Sequence, residues 1–222
     1  MSIKLVFAFQ NGASLVGGTI VTDSITSSGL KEFIENELNA KHYRYRRGYK
    51  NVIDKALELN AQGVNCPLAI ETSGHAAMRE NYFLDDGAYL ATKIIIQAAQ
   101  LKREGKVLGD LIADLQEPAE AEEFRLKILP ENFRDIGQQV IDDLAAVVSD
   151  ADDYEVAPDN AEGIRASKPE VDGWFLLRLS VHDPVMPLNI ESNTPGGVDN
   201  ILRDLREFFR MYEVLDSGCL QK

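Results

Sequence analysis

Five consecutive residues, Glu71-Thr72-Ser73-Gly74-His75, place a carboxylate, two hydroxyls, a hinge and an imidazole within one short reach of chain. Vicinal hydroxyls of a sugar need an acceptor and a donor side by side. A carboxylate and a serine two residues apart supply both if the backbone between them is extended, because both side chains then point to one side. The same residues would also serve as an ordinary strand-to-loop exit whose hydroxyls cap the next turn. Just before them, Pro67 to Ile70 is apolar, too short for a helix and bounded by breakers, and reads as a buried strand. In open α/β sheets ligands collect at the carboxyl ends of strands, where this loop would lie.

Two further stretches could hold an anion. Arg47-Gly48-Tyr49-Lys50 opens a helical pattern, so Arg47 and Lys50 stand beside the free N–H groups of a first turn. Much later, Ser192-Asn193-Thr194-Pro195-Gly196-Gly197 precedes the most regular helical pattern of the chain. Hydroxyl donors, glycines that admit a close backbone and the positive end of a helix suit a phosphate, and they suit a plain helix cap as well.

The elements that must position these residues follow from periodicity. Thr19 to Thr22 is β-branched and strand-like, and Leu30, Phe33, Ile34 and Leu38 have helical spacing. His42 to Arg46 is of strand length. Tyr49, Val52, Ile53, Ala56 and Leu57 predict a helix with one buried face. Asp86 caps a helix running from Gly87 to about Glu104, and Asp85-Asp86 reads as a cap rather than a metal site because adjacent carboxylates diverge. The acidic, proline-bearing stretch 116–123 is the best linker candidate. Beyond it come a strand at Phe124–Ile128, a helix on Phe133, Ile136, Val140, Ile141, Leu144 and Val148, strands at 173–180 and 187–191, and a last helix on Val198, Ile201, Leu202, Leu205, Phe208, Phe209 and Tyr212. Strand–helix alternation therefore gives an α/β domain with a mixed sheet at 1–116, followed by a smaller α+β domain at 117–222.

The chain of 222 residues carries 23 Lys and Arg against 36 Asp and Glu, a formal charge of −13. Such a surface argues against nucleic acid and against an anionic membrane as the main partner. The charge is uneven: sixteen acids between Asp110 and Glu162 face only Arg125, Lys127 and Arg134, whereas 41–55 is basic. An acidic protein with a local basic patch suits a small anion. Two distant cysteines, Cys66 and Cys219, form no metal spacing, and Cys66 reads as an inert core thiol. With no long apolar run and no signal-peptide pattern at the start, a cytoplasmic location is expected.

Glu71-Thr72-Ser73-Gly74-His75, continued by Glu80-Asn81-Tyr82-Phe83-Leu84-Asp85-Asp86-Gly87, resembles the sugar-recognition loop in the third domain of the α-D-phosphohexomutases, the phosphoglucomutase/phosphomannomutase family. Thr22-Asp23-Ser24-Ile25-Thr26-Ser27 resembles a segment at the start of that domain, and residues 1–16 match nothing recognisable. The resemblance implies that Glu71 and Ser73 bind sugar hydroxyls and that Lys50, in an Arg-Gly-aromatic-Lys segment, lies near substrate, with Arg47 and His75 as further contacts. Ser192-Asn193-Thr194 resembles the phosphate-binding Ser-Gly/Asn-Thr loop of the fourth domain, which implies phosphate contacts from Ser192, Asn193, Thr194, Gly196 and Gly197. Many members carry an arginine two places before the loop's serine. Ile190 stands there, and Arg178 on the preceding strand is the candidate substitute. His182 is a further phosphate or hydroxyl partner, or a structural donor.

The implied fold is a third-domain-like α/β unit followed by a fourth-domain-like unit of TATA-binding-protein type. The implied activity is C1/C6 phosphoryl transfer on a hexose phosphate such as glucose or mannose 1- or 6-phosphate. That chemistry needs a phosphoserine from a first domain and Mg²⁺ held by an Asp-Gly-Asp-x-Asp-Arg loop in a second, and neither loop occurs in this sequence. No catalytic nucleophile and no metal ligand is therefore expected within these residues, Mg²⁺ belongs to the complete enzyme, and the first two domains are the expected partners. The alternative is a stand-alone sugar-phosphate-binding or regulatory module derived from a mutase.

Overall fold

The computed structural model describes residues 15–221. The apolar run Ile3–Phe9 and most of the unmatched stretch 1–16 lie outside them. The chain divides into two compact units, Met1–Gln116 and Glu117–Lys222.

In the first unit β1 (Thr19–Asp23) is followed by α1 (Ser28–Glu32), which runs into a π-helical turn at Phe33–Glu37. Next come β2 (Lys41–Tyr45), α2 (Tyr49–Ala61), β3 (Leu68–Ile70), β4 (Ala76–Met78) and α3 (Gly87–Arg103). The sheet has the order β2-β1-β3-β4, parallel except for the β3–β4 pair. Ile20, Leu68 and Ile70 face α1, and Val21 and Ala69 face α2. Strands buried on both faces read as continuous apolar runs, which is why four or five residues sufficed to mark them. Side-chain caps start two helices: Ser27 accepts from the Leu30 N–H at 3.1 Å, and Asp86 accepts from the Tyr89 N–H at 2.9 Å. Cys66 is fully buried and its thiol is pushed up to about 11 by that burial, so it is inert.

Parallel pairing brings the exits of β1, β2 and β3 to one edge, since Asp23 is in register with Tyr45 and Thr22 with Ile70. A buried polar chain ties these exits together. His42 Nε2 contacts Thr22 Oγ1 at 2.7 Å, and Thr26 Oγ1 lies 2.7 Å from Thr22 Oγ1 and 3.1 Å from Asp23 Oδ1. Thr72 Oγ1 donates to Asp23 Oδ2 at 2.6 Å. Asp23 is wholly inaccessible, and burial raises its pKa above the usual carboxylate value. The Thr72 bond opposes that rise and the charge of Glu71 adds to it.

The second unit contains β5 (Glu120–Ile128), α4 (Phe133–Asp150), β6 (Glu155–Val156), β7 (Ile164–Lys168), β8 (Gly173–Leu177), β9 (Val185–Ser192), α5 (Gly197–Phe209) and β10 (Leu215–Asp216). Its six strands are antiparallel in the order β10-β5-β9-β8-β7-β6. Leu126, Phe175, Leu177, Leu188 and Ile190 form one core with Val140 and Leu144 of α4 and Ile201, Leu205 and Phe209 of α5. The acidic residues Glu120–Glu123 are strand rather than linker: they pair in register with Ser192 to Asn189 of β9. Alternating burial is absent there because that end of β5 is largely exposed, so the sequence pattern begins only at Phe124.

Glu120 also closes the start of α5. Its Oε1 accepts the Gly196 N–H at 2.7 Å and its Oε2 accepts the Val198 N–H at 3.1 Å. A carboxylate thus satisfies two orphan donors at the positive end of the helix. Glu120→Ala is expected to lower the stability of the second unit by about 1 kcal/mol in chemical denaturation, with Glu120→Gln losing less. Asp23→Asn, which keeps an oxygen for Thr72, carries a pH signature. The raised folded-state pKa of Asp23 means its contribution is full below the unfolded value and is lost as pH rises through the folded one. The stability of Asp23→Asn relative to wild type should therefore increase from pH 3.5 to pH 7; a flat difference would contradict the buried-carboxylate account.

Candidate functional site

Glu71 is the first residue beyond β3 and is 4% exposed. Its Oε1 accepts the Gly48 N–H at 2.5 Å, and its Oε2 accepts the Ser73 hydroxyl at 3.0 Å. The loop turns back on itself: the Gly74 N–H donates to the Glu71 carbonyl at 3.0 Å, and the Glu71 N–H donates to the His75 carbonyl at 2.9 Å. Glu71 and Ser73 are thus neighbours through a turn and a direct hydrogen bond, not through extended backbone. Gly48, at φ 115°, turns its N–H to the carboxylate, and a Cβ there would stand 2.9 Å from Asn51 Nδ2. An ionised carboxylate has about four acceptor sites, so two bonds fix Glu71 without exhausting it. Ser73 is exposed, and its remaining lone pairs are open to a hydroxyl donor.

His75 stands at the rim. Its ring stacks on Tyr49 with centroids 5.1 Å apart, and its Nδ1 lies 2.7 Å from Asp85 Oδ2. Arg47, half-buried at the exit of β2, lies near enough to Asp23 for its charge to favour the ionised carboxylate. Lys50 differs. It sits in the first turn of α2 but is 75% exposed and pairs with Asp54 of its own helix, a solvent-side contact of the ordinary (i, i+4) kind. Glu71, Ser73, His75 and Arg47 therefore belong to one group of strand exits, and Lys50 lies on the flank of α2. Tyr49 and Asp85 escaped the reading of the sequence. Tyr49 fitted the buried stripe of α2 yet is 49% exposed, and Asp85 was absorbed into the neighbouring cap.

The structure does not leave an open cradle at Ser192. Its hydroxyl is buried, donates to the Val171 carbonyl at 2.6 Å and accepts the Thr194 N–H at 3.0 Å. Asn193 is bonded to Asp172 through Nδ2 at 3.0 Å and through its N–H at 2.9 Å. The N–H groups of Gly196 and Val198 hold Glu120, and a Cβ on Gly197 would strike Ser192 Oγ at 2.0 Å. Gly197 is thus required by packing. The adjacent cavity of about 460 Å³ is lined by Glu120, Glu122 and Asp199 beside Phe124, Val198 and Leu202, charges that repel a phosphate. Arg178 is not brought to this turn. Gly173 is in register with Ser192, whereas the Arg178 N–H donates to the Pro187 carbonyl, five residues along β9 and roughly 16 Å away.

Arg178 instead opens the hairpin between β8 and β9, residues 178–184, together with Ser180 and His182. The hairpin is fixed at its root: the Ser180 N–H donates to the Val185 carbonyl at 2.9 Å, and the Asp183 N–H donates to Ser180 Oγ at 3.3 Å. Arg134, in the first turn of α4, donates to the Val181 carbonyl at 3.0 Å. Leu179 packs over Gly137, where a Cβ would meet it at 2.5 Å. Arg178, Ser180 and His182 thus lie in one hairpin, whose Val181 carbonyl holds Arg134. Among the described residues no three His, Cys, Asp or Glu side chains come together to hold a metal ion, and no helix is long and apolar enough to cross a membrane.

Residues 3–118, just over half of the chain, match the family model for phosphoglucomutase/phosphomannomutase, alpha/beta/alpha domain III. The match begins at residue 3, which corrects the expectation that residues 1–16 resemble nothing in the family. Phosphoglucomutases of Neisseria meningitidis and Neisseria gonorrhoeae are each 30% identical over 135 residues, 60% of this chain and 27% of theirs. The chain thus spans about a quarter of the length of these curated relatives, at 27%. A phosphoglucomutase/phosphomannomutase family protein from Burkholderia thailandensis superposes on 93% of this chain and 40% of its own, with TM-score 0.70 and 24% identity. An N-acetylphosphoglucosamine mutase from Aspergillus fumigatus, in complex with GlcNAc-6P and magnesium, covers 95% of this chain and 43% of its own at TM-score 0.54 and 10% identity. These likenesses are of fold, and they extend beyond the residues that the family model covers. With the family model matched across the unit that carries Glu71, Ser73 and His75, the chain belongs to the phosphoglucomutase/phosphomannomutase family.

Proposed function

We propose that this chain supplies hexose-phosphate contacts to a phosphohexomutase: its first unit offers Glu71 and Ser73 to sugar hydroxyls, with His75 and Arg47 beside them, and its second unit, taken by itself, offers the hairpin 178–184 to a phosphate. The observation that carries the reading is the Glu71 carboxylate, held by the Gly48 N–H and the Ser73 hydroxyl where three parallel strands end. Two acceptors are there pre-oriented, the Glu71 carboxylate and the lone pairs of Ser73, so little side-chain freedom is lost when a pair of hydroxyls replaces water. The solved Aspergillus relatives bound to GlcNAc-6P or to glucose 1,6-bisphosphate support a sugar phosphate as the kind of ligand.

For the phosphate, the hairpin is favoured over the turn at 192–197 on charge. Arg178 and His182 belong to the hairpin and supply positive charge there, whereas Glu120 already occupies the amides of Gly196 and Val198. The role in C1/C6 transfer is that of positioning. The phosphoserine and the Mg²⁺ loop that such transfer needs are not among these residues, so no step is assigned to a group on this chain and it should not turn over substrate alone. A stand-alone regulatory module is the weaker reading, since the family match from residue 3 removes the unmatched leading segment that favoured it.

Calorimetric titration with glucose 1-phosphate should show weak binding that falls at least tenfold in Glu71→Ala, and titration with inorganic phosphate should show weak binding that is lost in Arg178→Ala and unchanged in Thr194→Ala. Loss in Thr194→Ala with none in Arg178→Ala would return the phosphate to the Ser192 turn. Mutase turnover by the isolated chain would overturn the positioning role.

A further inference from the structure

We infer that Asp85 is a positioning residue that fixes the tautomer of His75, so that the ring presents a bare Nε2 and accepts a hydrogen bond from a ligand hydroxyl; this rests on the sugar-binding reading of the same loop. The contact is His75 Nδ1 to Asp85 Oδ2 at 2.7 Å. An ionised carboxylate can only accept, so the shared proton resides on Nδ1 and the neutral ring must carry its lone pair on Nε2. Free imidazole side chains favour the opposite tautomer, so the carboxylate imposes a choice. Tyr49 stacks on the ring at 5.1 Å and limits its rotation.

The fold bends the chain to make this contact. Tyr82 and Phe83 are consecutive non-glycine residues in the left-handed region, at φ 53° and 55°. L-residues with large side chains adopt that region only when the surroundings enforce it, and such strain collects at functional sites. Here the Phe83 side chain is buried against the core of Val21, Val52 and Ala69, and its N–H donates to the Met78 carbonyl at 2.9 Å. The reversal lays Asp85 in an antiparallel bridge with Ala77, beside the start of β4 and next to His75. The neighbouring Asp86 is otherwise employed as the cap of α3, with its Oδ1 on the Tyr89 N–H. The two adjacent carboxylates therefore have separate tasks, and only Asp85 faces the imidazole. A lone pair at Nε2 selects a donor, so His75 adds an acceptor to the Glu71 and Ser73 pair.

Long-range ¹H–¹⁵N correlation of the three histidines in the ¹⁵N-labelled chain at pH 8.5 tests this, with His75→Asn assigning the ring. His75 should carry its proton on Nδ1 in wild type, shift to Nε2–H in Asp85→Ala, and stay Nδ1–H in Asp85→Asn, whose amide oxygen still accepts. His42 and His182 should be unmoved, which reports an intact fold. An Nε2–H ring in wild type would overturn the inference without any variant, and so would an Asp85→Ala ring unchanged from wild type. Glucose 1-phosphate should perturb His75 Nε2. If the tautomer is as stated and Nε2 does not respond, the sugar-binding reading fails and the Asp85–His75 pairing stands.

Discussion

The first unit depends on the parallel register of β1, β2 and β3. With Asp23 opposite Tyr45 and Thr22 opposite Ile70, three chain exits meet at one edge and two carboxylates, Asp23 and Glu71, become neighbours away from water. Burying a carboxylate is costly unless it is hydrogen-bonded, and each is bonded by a loop belonging to another exit. Thr72 serves Asp23, and Gly48 serves Glu71. The loops are held by hydrogen bonds to the carboxyl groups they surround, so packing of the apolar strands, solvation of the acids and geometry of the site are one problem with one solution. Thr22, Thr26 and His42 extend this polar network along the strands.

The second unit applies similar electrostatics to a different end. The positive end of α5 is an anion site by construction, and the chain fills it with Glu120 from β5. The turn that resembles a phosphate loop in sequence thus carries cap contacts to Glu120. Arg178 opens the β8–β9 hairpin at the other end of the same strands, and Arg134 is bonded to the Val181 carbonyl there. Helix-terminus geometry is permissive, and the charges nearby decide what occupies it.

Much of this was legible in the sequence. The buried strands, the Asp86 cap, the helical stripes of α4 and α5 and the placement of Glu71 to His75 at a strand exit all follow from local periodicity and turn chemistry, which act over a few residues. The misreadings share a cause in contacts between distant residues. Glu120 meets Gly196 across the β5–β9 pairing, Asp85 reaches His75 through a left-handed reversal that large side chains do not announce, and Tyr49 left the buried stripe to stack on that ring. Spacing identifies candidates, and strand register determines which of them share an end of the sheet.

The central claim is that the parallel-strand exits of the first unit, and not the helix start at α5, form the ligand-receiving surface for a sugar. Amide chemical-shift mapping with glucose 1-phosphate addresses it directly. The account predicts that the Gly48, Ser73 and Gly74 amides move with ligand concentration while those of Gly196, Gly197 and Val198 stay still. Saturating shifts at the α5 amides with none at Gly48 and Ser73 would contradict it.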